Sequence, residues 1–133
     1  MSIKSHFVSL ILRGTKTYEL RRRVPREATG MTVFIYSSGK DRAVTARATV
    51  AGVISGRPEA IWRDHSDELG ICRDDFFDYF SGVDTAYAIR LSDVSENSRQ
   101  VTLDELRKDF GLEPPQSWRY IPSEPYERLL EAI

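Results

Sequence analysis

Apolar and polar positions alternate along this chain with two different periods, and the points where the period changes outline its elements. Residues Ser2 to Lys4 read as a short strand, after which Phe7, Leu10 and Ile11 recur at helical spacing until Gly14, a residue suited to the positive φ that ends a helix. Thr17 to Arg23 reads as a strand with Glu19, Arg21 and Arg23 on one face and Tyr18, Leu20 and Arg22 on the other, ended by Pro25. Met31 to Tyr36 is a β-branched and aromatic run stopped by the turn Ser37-Ser38-Gly39-Lys40. Arg42 to Ile54 predicts a long strand with Val44, Ala46, Ala48 and Val50 on its apolar face, and the slip of phase near Gly52 predicts a β-bulge.

Two helices are expected next. One runs from Arg57 to Arg63 with Pro58 in its first turn, and one from Arg73 to Phe80 carries an apolar stripe of Phe76, Phe77 and Phe80. The stripe and Trp62 are assigned to the core. Ala86 to Leu91 returns as a strand. Thr102 followed by Glu105 is a capping box, so Leu103 to Phe110 should be helical and stop at Gly111. Pro114 and Pro115 impose an extended segment through Trp118 and Tyr120, and Tyr126 to Ala132 forms a last short helix. Strands interrupted by short helices, with a long bulged strand in the middle, predict an α+β fold built on a small mixed β-barrel rather than a regular βαβ sheet.

Composition bounds this picture. The chain has 133 residues, which suits a single domain with one core, and its 41% hydrophobic and 29% charged residues are ordinary for a globular protein. Its one cysteine, Cys72, has no partner for an intramolecular disulfide and stands beside acids, with no sign of an activated thiolate. His6 and His65 have no companions at metal-ligand spacing, and the acids from Asp64 to Asp78 lack a calcium-loop pattern, so no metal and no cofactor are expected. The apolar run Phe7 to Leu12 is shorter than a signal-peptide core, and no stretch approaches the ~20 apolar residues that span a bilayer. A cytoplasmic protein is expected.

Charge changes the picture more. The net charge is only -1, yet Arg13 to Arg26 holds six basic residues against Glu19, and Glu59 to Asp84 holds eight acids against Arg63 and Arg73. The basic stretch is a footprint for nucleic acid, unless the acidic stretch lies against it and neutralises it. The acidic helical half is a candidate docking face for a protein partner.

Within the basic stretch, Gly14-Thr15-Lys16-Thr17-Tyr18-Glu19-Leu20-Arg21, preceded by Ser2-Ile3-Lys4 and a short apolar helix, resembles the signature of ASCH domains, in the PUA-like superfamily. In that pattern a glycine ends the first helix, a lysine follows two positions later, and a glutamate and then an arginine come after it. The resemblance continues through Val33-Phe34-Ile35-Tyr36-Ser37, Ala86-Tyr87-Ala88-Ile89 and Pro114-Pro115-Gln116-Ser117, so it spans nearly the whole chain as one ASCH domain, residues 1–133. Ser5 departs from it, where many relatives have proline.

The resemblance implies a small PUA-like barrel that binds RNA or a modified nucleobase or nucleotide in a basic cleft. On a strand, Glu19 and Arg21 lie about 7 Å apart on one face, and Lys16 leaves the preceding turn, so one acceptor and two donors converge. A carboxylate accepts from the exocyclic amine of cytosine or adenine, and a guanidinium pairs with phosphate. Lys4, Arg21, Arg22, Arg23, Tyr36, Ser37 and Trp118 are the candidate RNA-binding residues. Arg26, Ser38 and Tyr120 extend the set.

Two enzymatic alternatives accompany binding. Some small bacterial ASCH proteins remove the acyl group of N4-acylcytidine, which implies a lysine at Lys16, a threonine three residues later and a distal glutamate. Glu19 occupies the threonine position, so catalysis would fall to Lys16, Glu19 and Thr17, with Glu68 or Asp67 as the distal carboxylate. The second alternative is a ribonuclease.

Overall fold

The computed structural model describes Met1–Ile133. Five strands form one sheet in the order β1-β3-β4-β5-β2. They are β1 (Ser2–Lys4), β2 (Tyr18–Arg21), β3 (Thr32–Ser38), β4 (Ala43–Gly56) and β5 (Ala86–Thr102). The helices are α1 (Ser5–Leu12), α2 (Pro58–His65), α3 (Arg73–Tyr79), α4 (Leu103–Phe110) and α5 (Ser123–Ala132), with a 3-10 turn at Ser66–Glu68. β1 pairs parallel to β3, and every other ladder is antiparallel.

The local signals act where the sequence puts them. Gly14 takes φ +80° after α1, Pro58 opens α2, and the Thr102 hydroxyl accepts from the Glu105 N–H at 3.2 Å while Gly111 ends α4 at φ +64°. The β4–β5 register shifts between Val50 and Gly52, as expected, and also between Val44 and Ala46 and between Arg47 and Thr49. These irregularities let the two longest strands bend as they cross the molecule.

Two strands and the sheet as a whole differ from the pattern reading. β5 continues past Leu91 to Thr102, through a polar stretch whose strand character comes from pairing with β4. β2 stops at Arg21, so Arg22 and Arg23 lie in a bend. The α+β class holds, while the sheet itself is open: β1 and β2 are its two edges and share no ladder, so the strand pairing does not close the expected small mixed β-barrel. The edges are nonetheless brought together, because Arg21 on β2 donates from Nη2 to the Ser2 carbonyl on β1 at 2.8 Å.

The core has three parts. Ile3, Val8, Ile11, Ile35, Ala46 and Ile89 pack between α1 and the sheet. Tyr18, Leu20, Ile61, Leu69, Phe76 and Phe80 pack α2 and α3 on the other end of β2 and β5. Phe34, Tyr36, Val44, Leu106, Phe110 and Leu129 hold α4 and α5. The Phe76 and Phe80 side chains are fully buried and Phe77 and Trp62 pack beside them, as the stripe indicated.

The segment after α4 is an extended strap over the open seam. The Ser2 N–H donates to the Ser117 carbonyl at 2.9 Å and the Ser2 hydroxyl to the Pro115 carbonyl at 2.6 Å. On the other side, Trp118 Nε1 donates to the Arg23 carbonyl at 3.1 Å and the Tyr120 hydroxyl to the Arg26 carbonyl at 3.3 Å. No helix is long and apolar enough to cross a membrane.

Candidate functional site

Where α1, the edges β1 and β2, and the strap meet, a cleft of about 560 Å³ opens, a volume within the ordinary range for small-ligand sites. Lys16, Glu19 and Arg21 all line it. The alternation of β2 explains the sorting: Tyr18 and Leu20 point into the core and leave Glu19 and Arg21 on the cleft face.

Lys16 is 2% exposed. Its ammonium donates to the Leu69 carbonyl at 2.5 Å and stands 4.9 Å from the centre of the Phe7 ring. Burial holds its pKa below the ordinary 10.5, Glu19 pulls it back up, and Arg21 pushes it further down. Gly70 makes this burial possible, since a Cβ there would stand 2.8 Å from the Lys16 Cβ.

Glu19 is 4% exposed. Its Oε1 accepts from the Leu20 N–H at 3.0 Å and lies 3.8 Å from Arg21 Nη1, while its Oε2 is buried with no hydrogen-bond partner. Arg21 uses Nη2 on Ser2 and Nη1 on the Leu20 carbonyl at 3.3 Å, which leaves a buried Nε without a partner. Two residues that line the cleft thus each carry a buried polar atom without a partner, an acceptor on Glu19 and a donor on Arg21. Such groups carry a desolvation cost of about 1–3 kcal/mol unless something occupies them.

The other expected residues divide. Lys4 lines the cleft from β1. Arg22, Arg23 and Trp118 line a second depression of about 520 Å³, which shares Tyr79, Gln116 and Ser117 with the cleft. Tyr36 and Ser37 do not line the cleft. The Tyr36 side chain packs in the core part that holds α4 and α5, and Ser37 is fully buried, donating to Asp41 Oδ2 at 2.7 Å and lying 2.9 Å from the Ser5 hydroxyl. Tyr36 shares the β3 face of Phe34, which packs against α4 and α5, and Ser38 lines the cleft instead. Thr17 is also outside the cleft, its hydroxyl buried without a partner. Glu68 and Asp67 are exposed, with Glu68 lying 3.5 Å from His65 Nδ1.

The sequence reading missed Asp75 and Tyr79 on α3 and Gln116 and Ser117 on the strap as cleft residues, and it did not place His6 there. Gln116 and Ser117 fall within the resemblance without a role assigned to them, and no local signal marks the others, because tertiary packing brings their elements to β2. None of the ion pairs joins the Arg13–Arg26 stretch to the Glu59–Asp84 stretch, so the basic side is not neutralised by direct pairing.

Comparison with known proteins agrees with this architecture. Residues 2–108 match the family model described as a domain of unknown function, DUF365. A curated protein of Zymomonas mobilis, called an ASCH domain-containing ribonuclease, is 28% identical over 131 residues, covering 98% of this chain and 88% of its own length. The crystal structure of ASCH from Zymomonas mobilis superposes with a TM-score of 0.91 at 28% identity, covering 98% of this chain and 92% of that one. A variant of that protein in which a tyrosine is replaced by phenylalanine gives the same TM-score at 27% identity, covering 98% and 94%. The chain belongs to the DUF365 family and is an ASCH-domain protein.

Proposed function

We propose that the cleft binds a nucleotide of single-stranded RNA and that the domain cleaves the strand there. The observation that carries this reading is the buried, unpartnered Oε2 of Glu19, together with the unpartnered Nε of Arg21, on two residues that line a cleft of nucleoside size. An exocyclic amine of a base satisfies the first, and a phosphate or base oxygen the second. A duplex hides these base edges, so an unpaired strand is the fitting partner. The Zymomonas relative, matched over nearly the full length of this chain, is called a ribonuclease, which favours cleavage over binding alone.

In such a cleavage the ribose 2′-oxygen attacks the adjacent phosphorus, its proton passes to a base, and the 5′-oxygen of the next nucleotide departs with a proton. The products are a 2′,3′-cyclic phosphate and a 5′-hydroxyl. Lys16 and Arg21 supply positive charge toward the phosphoryl oxygens, and His6 at the rim supplies an imidazole, a side chain suited to carrying protons. The N4-acylcytidine alternative has less support, since Glu19 stands at the threonine position and Thr17 does not line the cleft.

The test is incubation with an unstructured RNA oligonucleotide and its all-deoxy counterpart. Cleavage of the RNA alone to cyclic phosphate ends, lost in Glu19→Gln, is expected. An RNA left intact by the wild-type protein would overturn the cleavage reading.

A further inference from the structure

The cleft does not end at Ser117. Tyr79, Gln116 and Ser117 form a shared wall beyond which the second depression, lined also by Arg22, Arg23 and Trp118, continues the surface. Adjacent residues of a regular strand point to opposite faces, so Arg22 and Arg23 reach the same depression only because β2 stops at Arg21 and the chain bends. Arg22 and Arg23 are exposed, neither takes part in an ion pair, Arg22 Nη2 donates to the Ser81 carbonyl at 3.3 Å, and no carboxylate lines the depression. Their positive charge is therefore available to a ligand.

Trp118 is held rather than merely present. Its Nε1–H is committed to the Arg23 carbonyl, and its ring meets Tyr120 edge-on, with centroids 5.9 Å apart and planes at 80°. Trp118 is only half-buried and lines the depression. A fixed, half-buried indole beside two guanidiniums that no carboxylate neutralises is an arrangement suited to receive a base and the phosphate attached to it, at little ordering cost.

We propose that this depression is a second nucleotide subsite, in which Trp118 stacks on a base while Arg22 and Arg23 hold the phosphate that links it to the nucleotide in the cleft. The inference rests on the reading of the cleft as an RNA site and makes its substrate a strand of at least two nucleotides. Gln116 and Ser117, on the shared wall, face the linkage between the two.

The test compares a nucleoside with the corresponding dinucleoside monophosphate, both 2′-O-methylated to prevent cleavage, by NMR titration. The proteins are the wild type, Glu19→Gln, Trp118→Ala, Trp118→Phe and the double variant Arg22→Gln/Arg23→Gln. The second nucleotide should tighten wild-type binding by about tenfold, an amount that one stacked base can supply. Trp118→Ala and the double variant should lose that gain while keeping nucleoside affinity, and Trp118→Phe should keep most of it. A gain that survives in Trp118→Ala and in the double variant overturns the subsite and leaves the cleft reading intact. So does a wild type with no gain whose nucleoside binding still depends on Glu19. Nucleoside binding indifferent to Glu19→Gln overturns the cleft reading, and the subsite with it.

Discussion

Arg21 donates from Nη2 to the carbonyl oxygen of Ser2 at 2.8 Å, and so a cleft side chain joins the two edges of an open sheet. The same guanidinium lies 3.8 Å from Glu19 Oε1 and carries a buried Nε without a partner. Fold and site are thus coupled through one residue. Arg21→Gln should weaken RNA binding and also lower stability by about 1.5–3 kcal/mol, the range for a hydrogen bond from a charged group. Urea denaturation checks the second effect. An unchanged midpoint would mean that Ser2 and the strap hold the seam without Arg21.

Gly70 should be as important to the site as the residues that line it. It adopts φ +62°, and a Cβ there would press on the Lys16 side chain at 2.8 Å. Gly82 has φ +82° but nothing within 4 Å of the same virtual atom. Gly82→Ala should therefore cost only the backbone strain, about 1–2 kcal/mol. Gly70→Ala should cost about 1–3 kcal/mol more, from overpacking, and should impair RNA binding by displacing Lys16. Equal denaturation midpoints for the two variants would show that the Lys16 stem yields without cost.

Burial of Lys16 makes a signed prediction for pH. Its pKa in the folded protein lies below 10.5, its ordinary value, so between those two values the unfolded chain binds more protons than the native one. Stability contributed by this group therefore rises with pH across that window, from a full penalty below the native pKa to none above 10.5. Denaturation of the wild type and Lys16→Met at a series of alkaline pH values isolates the effect. The difference between the two should shift in favour of the wild type as pH rises, whereas a constant difference would place the ammonium in a solvated setting.

How much of this was legible in the sequence depended on whether the signal was local. Gly14, Pro58, the Thr102 capping box and the Phe76 and Phe80 stripe each act within a few residues, and each appears where the pattern indicated. Lys16, Glu19 and Arg21 were legible as a group because strand alternation and a short turn fix their relation. β5 beyond Leu91 was not, since Ser92 to Gln100 is polar and becomes a strand only through its pairing with β4, distant in sequence. Tyr36 and Ser37 lie off the cleft for a related reason: tertiary packing, not the β3 sequence alone, decides which face of β3 meets α4 and α5. Asp75, Tyr79, Gln116 and Ser117 enter the site through packing of α3 and the strap, which no periodicity records.

The central claim is that RNA occupies the cleft formed by Lys16, Glu19 and Arg21. The most direct measurement is an NMR titration of isotope-labelled protein with a short, uncleavable, single-stranded RNA, following backbone amides and the Trp118 indole N–H. The account predicts saturable shifts concentrated on Lys16 to Arg23, on Gln116 to Trp118 and on α3 near Asp75 and Tyr79, and their loss in Glu19→Gln. Shifts confined to α4, α5 or the far ends of β4 and β5, or a titration unaffected by Glu19→Gln, would contradict it.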